Sequence, residues 1–144
     1  MAAPITVAEA LTGLPRLQVR QVASGDLARI VPQLKPGEKA SRYHPKGYYF
    51  NTYRLHWDKP AFNLVRCCSP SRVLLLHPEE DRGISIDEAK RLQSFPDQFT
   101  LLGNHTIRWG FIGDSLPPLA MRAVILHLRQ CVFRGSGAEP DLQK

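Results

Sequence analysis

Eight basic side chains crowd into residues 31–76: Lys35, Lys39, Arg42, Lys46, Arg54, Lys59, Arg66 and Arg72, set against only Glu38 and Asp58. All four tyrosines (Tyr43, Tyr48, Tyr49 and Tyr53) share that window with Phe50, Trp57 and Phe62. Cations neutralise phosphates, and interleaved rings stack on bases or wedge between them. The chemistry this spells is nucleic-acid binding. Arg54, Lys59 and Arg66 are the leading phosphate candidates, with Lys39, Arg42, Lys46 and Tyr48 beside them. A solvated basic face over a small aromatic core is the alternative that composition leaves open.

The thiols and imidazoles carry no such pattern. Cys67 and Cys68 are adjacent and Cys131 is distant, so no Cys-x-x-Cys pair exists to grip zinc. Three cysteines also make a poor disulfide framework, and a reducing cytoplasmic setting fits them best. His44, His56, His77, His105 and His127 lack ligand spacing, so no metal is expected. A thiolate nucleophile needs an accessible setting that lowers its pKa, and no cysteine is nominated for one.

These groups must be positioned by 144 residues, one domain's length, enough to bury roughly two-thirds of the unfolded surface. With 43% hydrophobic and 22% charged residues, the composition is that of an ordinary globular protein. No apolar run approaches the ~18 residues that cross a bilayer. The N-terminus carries Glu9 and lacks the basic-then-apolar order of a secretory signal, so neither membrane spanning nor secretion is expected.

Thr6-Val7-Ala8-Glu9 matches a capping box and predicts a short helix stopping at Gly13 and Pro15. Residues 32–60 lack helical periodicity and read as loops with short strands, near Tyr48–Tyr53 and again at Phe62–Val65. The apolar Val-Leu-Leu-Leu within Arg72–His77 suits a buried strand. Ser85-Ile86-Asp87-Glu88 is a second capping box, opening a helix with Ile86, Ala89 and Leu92 on one side and ended by Phe95-Pro96. Gly103–Gly113 reads as a loop and strand. A last helix, capped by Ser115 and admitting Pro117 and Pro118 in its first turn, is expected to run to about Phe133. Leu119, Leu126 and Phe133 lie off its main stripe of Ala120, Val124, Leu128 and Cys131, so it wants partners on more than one side.

Two stretches carry a resemblance. Arg82-Gly83-Ile84-Ser85-Ile86-Asp87-Glu88-Ala89-Lys90-Arg91-Leu92-Gln93-Ser94-Phe95-Pro96-Asp97 resembles the penultimate conserved block of DNA (cytosine-5)-methyltransferases. Ile112-Gly113-Asp114-Ser115-Leu116-Pro117-Pro118 is similar to that family's last block, usually Gly-Asn-(Ala/Ser)-Val-Pro-Pro. Upstream, Tyr53-Arg54-Leu55-His56-Trp57-Asp58-Lys59-Pro60-Ala61 is similar to part of the family's target-recognition region, and Thr6–Leu14 to the connector before it. Asn63 stands where the family carries the threonine of a Thr-Leu or Thr-Ile pair, and Asp114 where it usually has asparagine.

The resemblance implies a division of labour. The family attacks cytosine C6 with the thiolate of a Pro-Cys dipeptide, assisted by the glutamate of a Glu-Asn-Val block, and takes the methyl group from S-adenosylmethionine. Neither Pro-Cys nor Glu-Asn-Val occurs in these residues, so no catalytic residue is expected among them. By resemblance, Asp114 and Ser115 border the cofactor, while Arg82, Glu88, Arg91 and Gln93 organise the join between lobes. Lys39, Arg42, Lys46, Tyr48, Arg54, Lys59, Asn63 and Arg66 would face double-stranded DNA.

The expected fold is α+β: a small target-recognition domain of short strands and loops, then C-terminal helices that dock on a Rossmann-like catalytic lobe outside this sequence. Residues 1–34 form a connector, 35–76 the recognition region, 77–134 the last two blocks and terminal helix, and 135–144 a disordered tail. The expected partners are DNA and a catalytic chain bearing Pro-Cys and Glu-Asn-Val; an inactive DNA-binding remnant and a protein-interaction module are the rival readings.

Overall fold

A computed structural model describes residues 4–15, 22–49, 51–66 and 73–133. Helix α1 (Val7–Leu11) starts at the first capping box: Thr6 Oγ1 accepts from Glu9 N and the Glu9 carboxylate accepts from Thr6 N. Val7 N and Ala8 N, which have no partner inside a helix, donate to the carbonyls of Lys59 and Trp57. The connector is thereby tied to the basic window.

Strands β1 (Tyr53–Arg54) and β2 (Leu75–Leu76) pair in parallel, Tyr53 opposite Leu75 and Arg54 opposite Leu76. Antiparallel bridges extend this minimal sheet on both edges, Lys39 to Tyr53 and Leu76 to Gly83. Because side chains alternate along a strand, Leu75 and Leu76 enter different cores. Leu75 joins Val7, Leu55, Ile84, Ala89, Trp109 and Ile112; Leu76 joins Leu27, Val31, Leu34, Ala40 and Val73. The first core therefore joins the two methyltransferase-like blocks to part of the basic window, and the second lies between α2 and the rest of that window.

Helix α2 (Asp26–Ile30), continued by a 3-10 turn at Val31–Gln33, is absent from the sequence expectation. It lacks a side-chain cap and is only five residues long, so its local signal is weak; Leu27 and Ile30 form it by burial in the second core. Of the strand expected near Tyr48–Tyr53 only Tyr53 is in β1, which continues to Arg54; within Arg72–His77 only Leu75–Leu76 pair, and Phe62–Val65 forms no strand.

Helix α3 (Ile86–Leu92) follows the second capping box as expected. It stops at Gln93, because Ser94 turns into the left-handed region (φ 61°) before Phe95-Pro96 is reached. The loop and strand expected at Gly103–Gly113 are instead helix α4 (His105–Asp114), whose cap Asn104 accepts from Ile107 N at 3.0 Å. Its glycines and β-branched residues argue against helix locally, and burial of Trp109 and Ile112 overrides them.

Ser115 closes α4 rather than opening the last helix: its hydroxyl donates to the Ile112 carbonyl at 2.7 Å. A residue before proline is pushed out of the helical region, so the chain stays extended through Pro117 (ψ 122°). Helix α5 (Pro118–Leu128) follows, with a π-helical turn at Arg129–Phe133. The expected tail lies outside the described residues. No helix among the described residues is long and apolar enough to cross a membrane.

Candidate nucleic-acid face and cofactor edge

Arg54 must be reassigned. A phosphate-binding arginine needs a free guanidinium, and this one is 3% exposed. Its two terminal nitrogens donate to the carbonyls of His77, Glu80 and Val31 and to the Asp81 carboxylate. It ties β1 to the loop after β2 and the turn after α2, which is work inside the fold, not at its surface.

The other basic candidates remain outside. Lys46 and Lys59 are exposed, as are Tyr48 and Asn63. Lys39 lies with Nζ 5.2 Å over the Tyr53 ring, which itself stacks on Phe62. Arg42 is 3.3 Å from Glu38 yet leaves 69% of its side chain in solvent. Glu38 also accepts from Tyr43 Oη at 2.5 Å and Lys35 N at 3.0 Å. The Tyr43 hydrogen bond, then that of Lys35 N, holds the Glu38 carboxyl below its ordinary value.

Arg66 does not stand alone: it pairs with Asp114 at 2.6 Å. The segment carrying it is fixed on α4 three ways. Leu64 is buried, Trp109 Nε1 donates to Val65 O at 3.0 Å, and the backbone at 65–66 runs directly against Gly113. Sequence reasoning missed Trp109 and Gly113 in this role, although Gly113 lies in the recognised block.

Asp114 and Ser115 suit one kind of ligand end. The Ser115 proton is engaged by Ile112, so its oxygen is left to accept. Asp114 is an exposed acceptor with Arg66 beside it. An amino-acid zwitterion such as that of S-adenosylmethionine needs acceptors for its ammonium and a cation for its carboxylate, and this edge has both. Phe111 lines both a cavity of about 390 Å³ that includes Ser115 and one of about 320 Å³ that includes Arg66 and Asp114.

The residues named as lobe organisers each span elements. Arg82 and Glu88, 6% exposed each, form a two-bond pair at 2.8 Å, and Glu88 also accepts from Ser85 N. Burial pushes the Glu88 carboxyl up, but the Arg82 and Ser85 hydrogen bonds outweigh it and leave it below its ordinary value. The same hydrogen bond, against desolvation, raises Arg82. Arg91 grips Asp97 through two bonds and donates to the Thr12 carbonyl, linking α3 to the end of α1. Gln93 donates to the Ile112 carbonyl at 3.2 Å, linking α3 to α4. No cluster among the described residues could hold a metal ion.

His77 is buried beside this pair. Its Nδ1 accepts from Glu79 N and Glu80 N, which leaves the proton on Nε2, 3.9 Å from Glu88. Desolvation, then the Arg82 charge, lower its pKa against the pull of Glu88, Glu80 and Glu79. Such a group is protonated first in the unfolded chain, so its contribution to stability falls as pH drops through about 6.5. His105, lowered by burial and then Arg108, acts in the same direction. Replacing His77→Asn, which keeps an acceptor for the two N–H groups, should flatten this decline by at most about 1.4 kcal/mol per pH unit. Urea titrations across that range check it; an unchanged slope would leave the decline to His105.

A family model, C-5 cytosine-specific DNA methylase, matches residues 13–130. A Methanocaldococcus jannaschii protein named as a type II methyltransferase is 31% identical over 131 residues, 88% of this chain and 40% of that relative. DNA (cytosine-5)-methyltransferase 1 of Gallus gallus is 32% identical over 105 residues, 72% of this chain and 7% of its own length. Type II methyltransferase M.AgeI of Thalassovita gelatinovora is 38% identical over 77 residues, 53% of this chain and 18% of its own length. The chain thus spans well under two-thirds of each of these relatives. With the family match running from just after α1 through α5, the chain belongs to the C-5 cytosine-specific DNA methylases.

Proposed function

We propose that these residues form the DNA-recognition and C-terminal part of a cytosine-5 DNA methyltransferase and act with a catalytic lobe lying outside this sequence. The observation that carries the reading is α5. None of its residues is buried, and Leu119, Val124, Ile125, Leu126 and Leu128 are 43–57% exposed. A helix apolar on several sides with no residue buried among the described residues is a surface awaiting a partner. A catalytic lobe with the Pro-Cys and Glu-Asn-Val dipeptides is the partner that family membership supplies. When bound, S-adenosylmethionine supplies the methyl group for cytosine C5.

The residues of this chain then have three tasks. Asp114, Ser115 and Arg66 border the amino-acid end of the cofactor. Arg82, Glu88, Arg91 and Gln93 hold the helices that present α5 and this edge to the lobe. Lys39, Arg42, Lys46, Lys59, Tyr48 and Asn63 face duplex DNA in the cytoplasm, from which the enzyme takes its cytosine by base flipping.

The DNA task has a direct test. Changing Lys39, Arg42 and Lys59 together to alanine should weaken duplex binding and flatten its salt dependence. Each phosphate contact removed lowers the log–log slope by about 0.9. An unchanged slope would return these charges to solvated surface and favour a protein-interaction module.

A further inference from the structure

A second feature of the basic window is a groove of about 500 Å³ between α2 and the turn at residues 43–48. Its size falls in the range of small-ligand clefts. One wall is aromatic: His44 and Tyr48 stack with centroids 4.8 Å apart and planes 26° from parallel. His44 is fixed because its Nδ1 accepts from Lys46 N and Tyr48 N. Tyr43, behind it, is held by its hydrogen bond to Glu38.

The backbone is arranged to leave Tyr48 outside. Gly47 adopts φ 66° and Tyr49 adopts φ 63°, a left-handed conformation uncommon for a bulky side chain. It packs Tyr49 against the second core and leaves its neighbour Tyr48 57% exposed. Backbone strain of this sort persists where the surroundings enforce it, commonly at ligand sites. Arg29 and Lys46 also line the groove, and neither joins an ion pair among the described residues. Asp26 and Gln33 add polar groups able to meet a base edge.

A held aromatic face beside two cations matches an aromatic ring carrying a phosphate. We infer that this groove receives an unpaired nucleobase of the bound DNA, stacked on Tyr48, with its phosphate met by Lys46 and Arg29. The inference rests on the DNA-binding reading above and adds to it a preference for a base outside the helical stack. Base–aromatic stacking is worth a factor of roughly 5 to 100 in affinity.

The test uses the full chain and three duplexes: fully paired, carrying one bulged 2-aminopurine nucleotide, and carrying a bulged abasic site. The wild type should favour the 2-aminopurine bulge over the paired duplex by roughly 5- to 100-fold, with its fluorescence quenched on binding. The abasic bulge should show no such gain. Tyr48→Phe should keep the preference, Tyr48→Ala should abolish it, and Lys46→Ala should reduce it. Equal affinity for all three duplexes, or a preference that survives Tyr48→Ala or extends to the abasic bulge, would overturn the groove inference and leave duplex recognition standing. Binding to none of them would overturn both.

Discussion

Replacing Glu88→Ala should destabilise the fold by about 3–5 kcal/mol, a large part of what a domain this size possesses. The side chain lost is one half of a buried ion pair, and Arg82 would be left 6% exposed with Glu80 and the Gly83 carbonyl as its remaining partners. The α3 capping box goes with it, since Glu88 accepts from Ser85 N. Removing both charges, Arg82→Leu with Glu88→Leu, should recover much of the loss, because the desolvation penalty then disappears too. Urea unfolding of Arg82→Leu, Glu88→Leu and the double closes the cycle. The carboxyl is held below its ordinary value, so its contribution is present above about pH 4.5 and is lost as pH falls through the folded-state value.

Gly113→Ala should also destabilise, by about 1–3 kcal/mol, although alanine is the better helix former. A Cβ there would fall 2.6 Å from Arg66 Cα and from the Val65 carbonyl carbon, and backbone atoms cannot swing aside as a side chain can. Segment 64–66 would have to leave α4, straining the Trp109–Val65 hydrogen bond and the Arg66–Asp114 pair. Gly110→Ala is the matched control on the same helix: nothing lies within 4 Å of its added Cβ, so it should stabilise by up to about 1 kcal/mol. Thermal melts of the two variants should therefore move in opposite directions.

How much could be read in advance depended on whether a residue's role is local. Both capping boxes are complete within four residues, and both helices begin where they say. Helix α4 depends on burying Trp109 and Ile112 against segments distant in sequence, so its glycines and β-branched residues misread as loop and strand. Ser115 has the right chemistry for a helix start, yet the prolines after it force extended backbone and turn it into a helix end. Basic residues in a window advertise charge but not exposure. Lys46 and Lys59 remain at the surface, Arg54 is consumed by three carbonyls and a carboxylate, and Arg66 is paired 48 residues away in sequence. The family blocks were legible because their types and order are specific. The Arg66–Asp114 link that ties segment 64–66 to the end of α4 was not, because only the fold brings it together.

In the proposed division of labour this chain supplies recognition and another lobe supplies the nucleophile. Methyl transfer from labelled S-adenosylmethionine to duplex DNA tests it most directly, measured for the chain alone, for a catalytic lobe bearing Pro-Cys and Glu-Asn-Val, and for the two mixed. Turnover is expected only in the mixture, and it should be lost when Leu119→Ser and Leu126→Ser remove the exposed apolar face of α5. Turnover by the chain alone, or a mixture equally active with the double variant, would contradict it.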